Sequence, residues 1–363
     1  MDANDKYVLL QERLDAFPTG APASPFFDEI LHILFTEEEA DVALHMNFMG
    51  NTAEHIAERA SLPVEDVRVH LERMADKAII FTRKVKGKYV YGLLPPVPGL
   101  FEFPFMKGGG TPMHERLTIL WDQYKHAAQA DAFAGKPTPI MRVVPVNKAL
   151  DAQKEVLPYD EVARLIDQAE YIALTECACR TSLKRCNRPT DVCLCLGYMG
   201  EFLVERGHAR HATKEEAHDA LERADKAGLV HCSNNSQEGA VVICNCCPCC
   251  CTVLRGRVEM NLKNTFAPSR YAARVKDEEC IGCEICIDER CPNHAIALNE
   301  DGVAVVSEED CIGCGLCVTG CPSEAIELVP RTQVIETLKD LKELSLKILQ
   351  EKGKLESFLN LMK

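Results

Sequence analysis

Apolar residues return at threes and fours along the first quarter of the chain. PFFDEILHILF (25–35) and EEEADVALHM (37–46) read as amphipathic helices. NTAEHIAERA (51–60) follows, with Asn51 or Thr52 able to cap it. In SLPVEDVRVHLERMADKAII (61–80), Ser61 or a nearby residue is the expected cap and Pro63 suits the first turn. FTRKVKGKYVYGLL then alternates about Gly87 like a two-stranded hairpin. Helices followed by a hairpin predict a winged helix-turn-helix over residues 1–95.

The pattern breaks at LLPPVPGLFEFPFMKGGGTP (93–112), a Pro/Gly-rich stretch expected to be extended, with Phe101, Phe103 and Phe105 alternating toward a neighbour. A helix is expected over 114–134 with Trp121 in its core face, then a strand in IMRVVPVN broken at Pro145. LPYDEVARLIDQAEYIAL predicts a helix running into a short strand, and YMGEFLVERG a further helix. TKEEAHDALERADKAG opens on a capping box, Thr213 with Glu216, and stops at Gly228. LVHCSNN and EGAVVI flank a hairpin-like loop. RTQVIETLKDLKELSLKILQEKG places Val334, Leu338, Leu341, Leu344 and Ile348 on one stripe, a long helix that packs across the protein or pairs with a partner, a homodimer included. The expected class is α+β and multidomain: winged helix (1–95), linker and helix (96–155), mixed cysteine-rich domain (156–274), a four-cysteine repeat module (275–330) and a terminal amphipathic helix (331–363).

Composition alters this picture in three places. No run of eighteen apolar residues occurs, and MDANDKYVLLQERLD lacks a basic segment before an apolar core, so neither membrane insertion nor secretion is expected. Twenty cysteines then mean reduced thiols holding metal in the cytoplasm, not disulfides. Charge is uneven: residues 276–328 carry 13 acidic and 2 basic side chains, and residues 1–100 carry 16 and 10. The helix that would face DNA carries Glu65, Asp66, Glu72 and Asp76 against Arg68, Arg73 and Lys77, which argues against nucleic-acid binding. The acidic module instead suggests docking onto a basic redox partner, a flavoprotein among the candidates.

The cysteines fall in two blocks. The second reads CIGCEICIDERCP and, 31 residues later, CIGCGLCVTGCP, an internal duplication of C-x2-C-x2-C followed by Cys-Pro. It resembles the bacterial two-cluster ferredoxin module, in which the fourth cysteine of each copy serves the other cluster. That resemblance assigns Cys280, Cys283, Cys286 and Cys321 to one [4Fe–4S] cluster, and Cys311, Cys314, Cys317 and Cys291 to the second. One departure is the four residues between Cys286 and Cys291, where three are usual. Zinc, which also favours C-x2-C pairs, fits two triads with Cys-Pro partners poorly.

The first block holds twelve cysteines between 177 and 251. Its candidate ligands are Cys177, Cys179, Cys186, Cys193, Cys244, Cys246, Cys247, Cys249, Cys250 and Cys251, with Cys195 beside them. Six thiols in CNCCPCCC exceed one mononuclear site, so one or more further [4Fe–4S] clusters are expected there, with zinc the alternative. Arg180, Lys184, Arg185, Arg188, Arg255 and Arg257 would offset thiolate charge, and His231 could ligate or relay a proton. The order of these motifs resembles 4Fe–4S-binding proteins of anaerobic bacteria, which implies iron–sulfur electron transfer within an oxidoreductase system. Two alternatives stand beside it: a reductase with an open cluster site, and a redox-responsive DNA-binding regulator.

Overall fold

The computed structural model describes residues 5–150, 156–333 and 336–362. The first helix, α1 (Lys6–Asp15), has no strong apolar period and was not anticipated; Asp5 caps it by accepting from the Tyr7 N–H. Helices α2 (Pro25–Leu34), α3 (Glu37–Ala43), α4 (Ala53–Ala60) and α5 (Val64–Asp76) follow, then the antiparallel pair β1 (Ile80–Val85) and β2 (Lys88–Leu93). Thr52 caps α4 as expected, but Ser61 does not cap α5. It closes α4 instead, in a left-handed conformation at φ 55°, because only three residues separate the two helices.

Residues 93–112 are not extended. They fold into short turns at Pro96–Leu100 and Phe103–Phe105, and Phe101, Phe103 and Phe105 are all buried. Three consecutive odd positions can all be buried because the chain wraps around itself and no longer alternates. Helix α6 (Pro112–Tyr124) packs Trp121 against Phe27 and Phe101, runs through a wider turn at Lys125–Gln129, and ends in α7 (Ala130–Ala134). One apolar core extends from Tyr7 through these phenylalanines to Phe202 and Leu203.

A six-stranded antiparallel sheet of mixed sequence order forms the centre. It comprises β3 (Met141–Val143), β4 (Ile172–Thr175), β5 (Cys193–Leu196), β6 (Arg210–His211), β7 (Val230–Asn234) and β8 (Val242–Cys246), in the order β3-β7-β8-β5-β4-β6. Between them lie α8 (Val162–Gln168), α9 (Ala178–Leu183), α10 (Gly197–Glu205) and α11 (Lys214–Lys226), the last with its capping box formed. Leu174, Leu194, Leu196 and Ile243 on one sheet face pack with residues of α8 and α11. The opposite face is where the cysteines gather.

Helix α12 (Thr252–Val258) leads to the duplicated module: β9 (Tyr271–Val275), β10 (Ile296–Leu298), β11 (Ala304–Val306), α13 (Leu316–Thr319) and β12 (Ile326–Pro330). β9 pairs with β12 and β10 with β11, both antiparallel. The terminal helix is shorter than its stripe implies. α14 spans Leu341–Glu351, capped by Asp340, and α15 Leu355–Leu361. Leu338 lies before the cap in a strap bridged to Ser236, where the Gln237 N–H donates to its carbonyl at 2.8 Å; Val334 lies outside the described residues. Leu344 and Ile348 are buried within the chain, and Glu351 accepts from both the Thr138 N–H and its hydroxyl. Among the described residues no helix is long and apolar enough to cross a membrane, and the class is a mixed α+β one.

Candidate metal centres

Side chains alternate across a strand, so C-x-C on a strand places both thiols on one face. Cys193 and Cys195 of β5, and Cys244 and Cys246 of β8, do this, and the register sets Cys232 of β7 opposite Cys244. Cys177 and Cys179 at the start of α9, and Cys251 at the start of α12, close over that face. These eight thiols line one apolar cavity of about 100 Å³, beside Phe103, Met106 and Met199. Electrostatic influence links the thiols in a ring from Cys177 to Cys193, Cys244, Cys246, Cys251, Cys179 and back to Cys177, with Cys232 joined at Cys246.

The remaining cysteines of CNCCPCCC turn the other way. Cys247, Cys249 and Cys250 meet Cys186, from the loop between α9 and β5, with all four sulfurs within 4.8 Å of one another. Cys186 Sγ is 3.9 Å from Cys247 Sγ, and Cys249 Sγ 3.9 Å from Cys250 Sγ. The hydrogen bond from Cys250 holds the Cys247 thiol well below its usual value, and Arg180 adds to this. The twelve thiols thus divide into eight and four.

In the duplicated module, Cys280, Cys283, Cys286 and Cys321 line one small cavity, and Cys291, Cys311, Cys314 and Cys317 line another. Each cavity therefore takes three thiols from one copy and one from the other. The Cys-Ile-Gly-Cys loops need their glycines. Gly282 and Gly313 have φ near 65° and 69°, and a Cβ on Gly313 would fall 2.1 Å from the Tyr271 carbonyl. The extra residue after Cys286 is absorbed by a wide turn over Cys286–Arg290.

The cations flanking the cysteine motifs divide in their partners. Arg180 is buried, donating to the Pro189 carbonyl at 2.9 Å and the Asn245 carbonyl at 2.7 Å. Burial opposes its charge, but Cys177, Cys193 and Cys247 outweigh that and raise its pKa. Arg255, by contrast, is spent on Asp122 (2.6 Å) and Glu259 (2.7 Å). His231 does not reach the cavity, because β7 places it on the face opposite Cys232. It bonds to the Asn245 side chain, and burial lowers its pKa.

Three groups were not found from the sequence. Cys232 lies isolated in its motif, and only strand pairing brings it to the ring. Lys125 is buried with its ammonium 2.7 Å from Thr252 Oγ1; burial lowers its pKa against the pull of Cys179 and Cys251. Glu102 also lines the cavity, held by the Gly99 N–H at 2.7 Å, and burial pushes its carboxyl up to about 7. A carboxyl at that value can take and return a proton near neutral pH. No cysteine motif lies near Lys125 or Glu102 in the chain to mark either residue.

Two pockets of four thiols, each built across a sequence duplication, define a ferredoxin-like iron–sulfur domain, and the chain is an iron–sulfur protein. Residues 273–328 match the family model of the 4Fe-4S dicluster domain. No curated protein and no solved structure matches the chain.

Proposed function

We propose that the protein is an electron carrier with three iron–sulfur centres in line. Two [4Fe–4S] clusters occupy the small cavities, one held by Cys280, Cys283, Cys286 and Cys321, the other by Cys311, Cys314, Cys317 and Cys291. A third centre, drawing its ligands from the ring of Cys177, Cys179, Cys193, Cys244, Cys246 and Cys251 with Cys232, fills the large cavity. The observation that carries this reading is the continuity of the three sites. Cys286 of the first pocket contributes to the electrostatic environment of Cys317 in the second, and Cys314 of the second to that of Cys232 at the third. Thiols of all three belong to one apolar core, and the Val146 N–H donates to the Cys314 carbonyl at 2.9 Å.

The helices and hairpin of the first 95 residues follow the order of a winged helix, used here for packing and not for DNA. Glu72 and Asp76 of α5 are engaged by Arg206 at 2.7 and 2.9 Å, so this acidic face is already docked on the chain's own cysteine-bearing region. A reducing cytoplasm poor in oxygen suits such centres.

Metal and sulfide analysis of anaerobically purified protein tests the proposal. The module contributes about eight irons, and the cavity adds more. The double variant Cys244→Ser/Cys246→Ser should keep the eight and lose the rest. Iron below eight in the parent, or unchanged in the variant, would refute the three-centre arrangement.

A further inference from the structure

The four thiols that turn away from the cavity form a site of a different kind. A single ion bound to four thiolates at about 2.3 Å holds its sulfurs about 3.8 Å apart, the edge of a tetrahedron of that radius. Cys186 to Cys247 and Cys249 to Cys250 both measure 3.9 Å, and all four sulfurs lie within 4.8 Å. An iron–sulfur cube cannot hold its thiolates so close, because each binds a different iron. The molecule supplies its own control: among the described residues, no three potential ligand atoms of the ferredoxin-like pockets or the large cavity draw together this tightly.

We infer that Cys186, Cys247, Cys249 and Cys250 bind one zinc ion in a tetrahedral tetrathiolate site, separate from the iron–sulfur centres. Its position points to zinc over a redox ion. The site does not lie on the line of thiols joining the three cavities. Its walls are the apolar side chains Val192, Ala224 and Leu229, and Cys247 and Cys250 are buried among them. The ion would join two segments that are 61 residues apart in the chain. Cys186 belongs to the loop that leads into Cys193 of β5, and Cys247 to Cys250 follow directly on Cys244 and Cys246. Both segments wall the large cavity, so a redox-inert ion here fixes the frame in which the third centre is built.

The test is zinc counting and zinc-edge X-ray absorption on the full-length protein purified anaerobically. One zinc per chain is expected, with four sulfur neighbours at about 2.3 Å and no nearby iron. Cys249→Ser should lose its zinc to a chelator that leaves the parent's in place. Cys249→His should keep it with three sulfurs and one nitrogen, since zinc accepts either donor. Retention of zinc in the serine variant, a sulfur count below four in the parent, or a single iron in the site would overturn the assignment. Because zinc is read independently of iron, failure here and failure of the three-centre reading are separable: a parent with iron in full but no zinc sinks only this inference.

Discussion

Among single residues, Lys125 is expected to act on redox chemistry. It is buried, and it sits on the wide turn after α6, within the influence of Cys179 and Cys251. A positive charge beside a thiolate-bound cluster stabilises the reduced, more negative state. Replacing Lys125 with Met removes that charge at similar volume. At an effective dielectric near 20 and a separation of several ångströms, the potential of the third centre should fall by on the order of 100 mV. An anaerobic redox titration followed by electron paramagnetic resonance reads this directly. An unchanged potential with iron retained would show that Lys125 does not face the centre. The sequence marked a different set of cations, those adjacent to cysteines in the chain. Adjacency was a partial guide: Arg180 lies beside Cys177, Cys193 and Cys247, Arg255 neutralises carboxylates, and Lys125 reaches the thiols only through the fold.

At the scale of elements, what the sequence disclosed follows from periodicity. The amphipathic helices, the capping box and the hairpin about Gly87 could be read because each is a local pattern. The division of CNCCPCCC could not, because it depends on β8 ending at Cys246; up to there the thiols alternate, and beyond it a turn redirects them. The same limit applies to the four-residue gap after Cys286. Spacing showed the extra residue, but only the structure shows that the wide turn delivers Arg290 to a docking position. Arg290 donates to the Leu316 carbonyl at 2.8 Å and Thr319 Oγ1 at 2.9 Å, and pairs with Asp225 at the end of α11 at 3.1 Å. Arg290→Ala should lower stability by about 2 kcal/mol, the scale of hydrogen bonds to a charged group. The expected readout is a lower urea midpoint with iron content unchanged. Lysine at this position should rescue little, since it lacks the guanidinium fork. A midpoint equal to the parent's would mean that the module docks without this contact.

At the scale of the whole molecule, the proposed carrier role would place electron exchange with a partner where charge and exposure coincide. The first ferredoxin-like pocket carries the exposed Cys283, and Ile281 beside it is 67% exposed. Around it stand the exposed carboxylates Asp277, Glu278, Glu279, Glu284, Asp288 and Glu289. The large cavity, by contrast, is enclosed by the sheet and by the helical region. An apolar contact ringed by negative charge suits a partner with a basic face, because the field steers encounter while the apolar contact fixes the pose. Electron transfer to a small cationic redox protein such as cytochrome c should therefore slow as ionic strength rises from 10 to 150 mM, over which the screening length shrinks from about 30 to 8 Å. Glu278→Gln/Glu279→Gln should slow transfer at low salt, leave the cluster potentials in place, and narrow the difference from the parent as salt is added. Transfer to ferricyanide, an anion, should show the opposite salt trend in the parent, since screening then relieves repulsion. Rates that are indifferent to salt with both acceptors would mean that electrons are exchanged at a surface other than this acidic face.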